Sequence, residues 1–156
     1  MGKAEMTEKI FDALYNSWEH NMSCFLDQLC KKHEWDKETF EDLVEDLESK
    51  GLIERRAQWD FEATPQGILF AERQEIIPKE RSTQHRETRK KILLFLAKFR
   101  KEKGKHERIH YEKMCQEAGI DKSLFRADEA ILRGEGLIKM VTIGSYQITD
   151  EGMDRV

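Results

Sequence analysis

Seven carboxylates fall within the thirteen residues 36–48, namely Asp36, Glu38, Glu41, Asp42, Glu45, Asp46 and Glu48, opposed only by Lys37. Two carboxyl groups can divide acid and base roles when they converge on an apolar pocket. Strung along one polar stretch, they crowd a solvated surface instead. Two other sets have the types of metal ligands. His106 and His110 stand at i,i+4, the spacing that puts two imidazoles on one helix face, and Cys30 with His33 forms a short pair. Neither pair is completed nearby, and a closed tetrahedral zinc site needs four ligands. No G-x-S-x-G, Walker-type G-K-S/T, H-E-x-x-H or dinucleotide glycine fingerprint occurs. The chain is therefore expected to be non-enzymatic, with no cofactor and no metal.

Cations are concentrated in the middle of the chain. Residues 1–78 carry 9 Lys/Arg against 18 Asp/Glu, net −9; residues 79–105 carry 11 against 3, net +8; residues 106–156 carry 7 against 10, net −3. A basic stripe between acidic ends suits a polyanion, and equally a solvated linker and helix face. Arg89, Lys90, Lys101, Lys103 and Lys105 are its candidate phosphate contacts, with the stretch KFRKEKGKHER expected as a loop able to follow a nucleic-acid backbone.

The elements that must position these groups come from a repeat. Residues 25–67 reappear 85 positions later as 110–152, with identities at Cys30/Cys115, Asp36/Asp121, Lys37/Lys122, Phe40/Phe125, Leu47/Leu132, Gly51/Gly136, Leu52/Leu137, Ile53/Ile138, Thr64/Thr149 and Gly67/Gly152. Two domains are expected, 1–78 and 86–156, joined by a linker at 79–85 after Pro78. Apolar residues at helical spacing (Ile10, Phe11, Leu14, Trp18) predict a first helix from about Thr7, with Thr7 as N-cap. Phe25, Leu26, Leu29 and Cys30 predict a second, and Asp36 caps a third that buries Phe40, Leu43, Val44 and Leu47. Gly51 ends it. Two short strands follow, then a helix opened by Thr64-Pro65. In the second copy Gly144-Ser145 is expected as a two-residue type II′ loop. Cys30 and Cys115 hold matching apolar positions and are read as small core residues, and Trp59 as exposed on its hairpin. The fold class is mainly α with small β-hairpins, α+β.

Charged residues at 37% and hydrophobic ones at 38% suit a folded helical protein rather than a disordered one. No apolar run approaches the roughly 20 residues that span a bilayer. The N-terminus MGKAEMTEKI lacks a signal-peptide core, and Met6 stands where a myristoylation motif wants Ser or Thr. A cytoplasmic protein with no membrane partner is expected. Three cysteines, an odd number, argue against a disulfide framework.

Helix, helix, helix, GLI, hairpin, then T-x-x-G resembles the winged helix-turn-helix, and two in succession resemble a tandem winged-helix protein. The GLI with Thr thirteen residues after its Gly, and Gly three further on, is similar to the wing of MarR-like and PadR-like regulators. The resemblance implies a DNA-binding protein of transcriptional-regulator type, whose third helix enters the major groove while the wing touches the backbone. On this chain the implied third helices are Asp36–Lys50 and Asp121–Glu135. Lys122, Ser123 and Arg126 then lie where base edges are reached, Arg being suited to guanine, with Lys139 on the wing. Asp128 and Glu129 are expected to dilute that charge. In the first copy the carboxylates would face the phosphates and oppose binding. Glu38, Glu41, Asp42, Glu45 and Asp46 are thus candidate contacts for a protein partner or for self-association. The alternative is an interaction adaptor that never reads DNA.

Overall fold

The computed structural model describes residues 2–156 and divides into two compact units, the first ending at Lys79 and the second running from Glu80 to Val156. In the first, α1 (Lys3–His20), α2 (Leu26–Lys32) and α3 (Lys37–Ser49) precede the hairpin β1 (Ile53–Ala57) and β2 (Asp60–Ala63), and α4 (Pro65–Arg73) follows. The second contains α5 (Lys79–Lys103) from its second residue on, β3 (Ile109–His110), α6 (Tyr111–Ala118), α7 (Lys122–Gly134), β4 (Ile138–Thr142), β5 (Ser145–Ile148) and α8 (Asp150–Arg155). The fold is therefore mainly helical with two small antiparallel sheets, β1-β2 and β3-β5-β4. The helices pack their apolar stripes inward. Ile10, Phe11, Leu14, Phe40 and Phe61 fill the first core, and Ile92, Leu96, Met114, Phe125 and Tyr146 the second.

The repeated residues do matching work in both units. Asp36 caps α3 by accepting from the Thr39 amide at 3.0 Å, and Asp121 caps α7 by accepting from the matching Leu124 amide at 3.4 Å and, more closely, from the Ser123 amide at 2.9 Å. Gly51 and Gly136 end these helices with φ of +73° and +75°, where a β-carbon would strain the backbone. Beyond each hairpin, a threonine ties two ends together. The Thr64 hydroxyl donates to the Gly51 carbonyl at 2.6 Å and accepts from the Gly67 amide at 3.0 Å. Thr149 does the same with Gly136 at 2.7 Å and Gly152 at 3.0 Å. Gly67 and Gly152 are small for a further reason: a β-carbon on either would be driven into the carbonyl of Leu52 or Leu137. The third strand of the second sheet is likewise matched. Phe25 bridges Asp60 where His110 pairs with Ser145.

Four expectations are corrected. Residues 79–85 are not an open connector but the first two turns of α5, a 25-residue helix that continues through Lys103, so Lys101 and Lys103 are helical and the loop shrinks to residues 104–108. The stretch was polar enough to look like a linker, yet Pro78 sits where proline is tolerated, just before a helix begins. The first helix starts at Lys3 rather than Thr7, whose hydroxyl bonds back to the Lys3 carbonyl at 2.7 Å inside the helix. The second hairpin turns through Ile143-Gly144, since Ser145 already pairs with Thr142; Gly144, at φ +81°, takes the second place of the loop and not the first. Trp59 is half-buried, against Phe40 and Phe61.

Candidate nucleic-acid and partner interfaces

The cap on α7 sets its outward face. With Asp121 holding the first amides, Lys122 and Ser123 are exposed in the first turn and Arg126 one turn later. Ser123 is partly committed, because its hydroxyl also donates to the Asp121 carboxylate. Asp128 and Glu129 do not dilute this face. Asp128 is 0% exposed and accepts from Arg89 Nη1 and His85 Nδ1, each at 2.8 Å; Glu129 is buried and holds Arg133 through two bonds of 3.1 Å. The repeat carried this signal. Asp128 and Glu129 align with the core residues Leu43 and Val44, and with Phe125 and Leu132 they complete an i, i+3, i+4, i+7 stripe.

Arg89 is correspondingly withdrawn from any phosphate. Its side chain is 9% exposed and spent on Asp128, a pairing that, with His85, compensates a carboxylate buried in the core. Lys90 is exposed one residue on. Lys101 and Lys103 are exposed in the last turn of α5, and Lys105, in the turn beyond, lies 3.5 Å from Asp150. Asp150 also accepts from Arg100 at 2.7 Å. That bond, and then the Lys105 charge, hold its carboxyl below the ordinary range. Lys139 is exposed on β4, beside exposed Met140 and Val141, with Ile143 at the tip 94% exposed. Among the described residues Lys90, Lys101, Lys103, Lys122 and Lys139 form no ion pair, so their charge is available to an anion.

The outward face of α3 has the opposite sign. Glu38, Asp42 and Glu45 are exposed and form no ion pair among the described residues, while Asp46 meets Lys50 at 2.9 Å and Glu41, half-buried, lies 3.9 Å from Lys37. Beside them is a groove of about 390 Å³ between α2, α3 and the hairpin tip, lined by Asp27, Cys30, Lys31, Glu34, Trp35, Lys37, Phe40, Glu41 and Trp59. Its floor is aromatic. Trp59 stacks on Phe40 at 5.6 Å, and Trp35 lies tilted 6.0 Å from Phe40. Burial pushes the Cys30 thiol up, with the Glu41, Asp36 and Asp27 carboxylates adding to the shift and Lys37 opposing it. Sequence reasoning passed over this groove because α2 and the hairpin meet only in the folded unit.

The histidine and cysteine pairs are not brought together as ligands. His106 lies in a turn and His110 in β3, so the helical i,i+4 geometry is absent; Cys30 and Cys115 are buried in their cores. Among the described residues no three His, Cys, Asp or Glu side chains are placed to hold a metal ion. No helix among them is long and apolar enough to cross a membrane. Comparison with protein-family models, with curated proteins and with solved structures finds no match to this chain.

Proposed function

We propose that the chain is a tandem winged-helix protein that binds duplex DNA through its second unit and a protein partner through its first. The observation that supports the DNA reading is the composition of α7: with Asp128 and Glu129 turned into the core, its exposed N-terminal half carries Lys122 and Arg126. Exposed Lys90, Lys101, Lys103 and Lys139 would add sequence-independent phosphate contacts. Arg126, as the longer fork, is the residue for a guanine edge. The exposed carboxylates of α3 exclude the first unit from the same role, because each would approach a phosphate of like sign.

The test is a fluorescence-anisotropy titration of labelled duplex DNA across salt. Binding should weaken steeply between about 50 and 200 mM salt, with a log–log slope near −0.9 per phosphate neutralised. Arg126→Ala should cost about 1–3 kcal/mol of affinity for the preferred sequence, while Lys101→Ala should reduce affinity for all sequences alike. Absence of association at low ionic strength removes the DNA reading. What then stands is the adaptor alternative, supported by the unpaired Glu38, Asp42 and Glu45, in which both units dock proteins.

A further inference from the structure

We infer that the groove between α2, α3 and the tip of the β1-β2 hairpin is a receptor for an arginine or lysine side chain of a basic peptide segment in the protein partner. This rests on the reading of the first unit as the partner-docking half and says where, and by what chemistry, docking occurs.

The groove has both components that a cation on an aliphatic stem requires. Half-buried Trp59, backed by buried Phe40 and Trp35, supplies an aromatic floor for the stem; Asp27, Glu34 and Glu41 supply carboxylates at the rim for the charge. Lys31 and Lys37 also line it, so its three carboxylates outnumber its cations by one, and Asp27 and Glu34 form no ion pair among the described residues. The adjoining Glu38, Asp42 and Glu45 extend the negative surface along α3, which suits further cations of the same segment. Arg55 of the hairpin already sits 5.2 Å over the Trp59 ring and 4.7 Å over Phe61, so the incoming cation is held by the rim carboxylates while its stem packs beside Trp59.

The backbone adds a separate argument. Four described residues other than glycine have φ in the left-handed region, and two of them, Glu34 at +52° and Trp59 at +59°, line this groove. The residues 85 positions on are Gly119 at +67° and Gly144 at +81°. The second unit thus uses the unstrained residue at both places. The first unit departs from it twice, each time placing a groove side chain where a bulky residue costs roughly 1–2 kcal/mol. In the second unit the matching floor residue, Phe125, is instead covered by Tyr111, stacked at 5.7 Å.

The experiment is a titration of the full chain into a fluorescein-labelled peptide of alternating Arg and Gly, alongside Lys/Gly and Gln/Gly counterparts, read by anisotropy. Saturable binding of the cationic peptides and none of the Gln/Gly peptide is expected. Glu34→Gly and Trp59→Gly, which install the residues of the second unit, should each weaken it ~tenfold or more. Urea denaturation of both variants checks folding, and Glu34→Gly relieves strain, so its loss of binding cannot be laid to misfolding. No binding of either cationic peptide overturns the inference. So does undiminished binding by both glycine variants; if affinity then falls only on joint reversal of Glu38, Asp42 and Glu45, the partner-docking reading stands while the groove falls. The DNA titration is independent of all these outcomes.

Discussion

Trp59 stacks on Phe40 with ring centroids 5.6 Å apart, while its counterpart 85 residues on, Gly144, leaves Phe125 to be stacked by Tyr111 from the start of α6. One floor residue is thus covered from the hairpin in one unit and from a helix in the other. On Gly144 a β-carbon would lie 2.9 Å from His110 Nε2 and 3.3 Å from the Tyr111 ring, side chains that would have to shift, on a backbone whose φ of +81° disfavours any β-carbon. Gly144→Ala should therefore destabilise the chain by about 1–2 kcal/mol, whereas Glu34→Gly, which removes left-handed strain, should leave it unchanged or up to about 1 kcal/mol more stable. Urea midpoints of the two variants, compared with the parent, check both signs.

Arg89 and Lys90 are neighbours with opposite expected phenotypes. Arg89→Met strands the fully buried Asp128 with His85 alone and should cost about 3–5 kcal/mol, while Lys90→Met, at an exposed site, should fall within about 0.5 kcal/mol of the parent. Denaturant titration distinguishes them. In DNA titrations of folded protein the order reverses, with Lys90→Met the variant that loses affinity.

Gly67→Ala and Gly152→Ala press a methyl group into the backbone carbonyl of Leu52 or Leu137, which is not the movable end of a side chain. Each should lower stability by about 1–3 kcal/mol, by crowding that the surroundings cannot relieve. The cost should be similar in the two units, because the Thr64 and Thr149 bonds that hold these helices differ by at most 0.1 Å. Thermal melts of the single and double variants report it.

Acid sensitivity should include Asp150. Its folded-state carboxyl is held low by the Arg100 bond and the Lys105 charge, so the stability it contributes is fully present above the ordinary aspartate value of about 3.9 and is lost as pH falls through the lowered one. Asp150→Asn should therefore be less stable than the parent at neutral pH, with the difference shrinking below about pH 4. Parallel urea series at neutral and acid pH measure it. Asp36, lowered by the Thr39 bonds, and Asp121, lowered by the Ser123 bonds, contribute with the same sign.

Much of this architecture is written locally. Asp36, Gly51, Thr64 and their partners 85 residues on act within a few positions along the chain or across one hairpin, so their types alone announce helix starts, helix ends and turns. The acidic face of α3 is equally legible, because its apolar stripe leaves the carboxylates only one direction. What escaped is non-local. That Asp128 is buried depends on Arg89 and His85 arriving from α5, 39 and 43 residues away, and a charged residue on a core stripe reads as a surface residue until its partner is found. The groove escaped for the same reason, since Glu34 and Trp59 meet only after β2 folds back on α2 through the Leu26 amide and the Trp59 carbonyl, 3.1 Å apart.

The threonine hydroxyls at the hairpin roots have a mechanical corollary. Thr64 fastens the last residue of the α3 turn to the first residues of α4, and the Thr64 amide to the Leu52 carbonyl at 3.1 Å closes the same ring. The ribbon is thus pinned at its root by Thr64 and at its tip by the Leu26 amide on the Trp59 carbonyl and the Phe25–Asp60 bridge. Clamped at both ends, the hairpin offers Trp59 to an arriving side chain in a position already set, so little ordering remains to be done on contact.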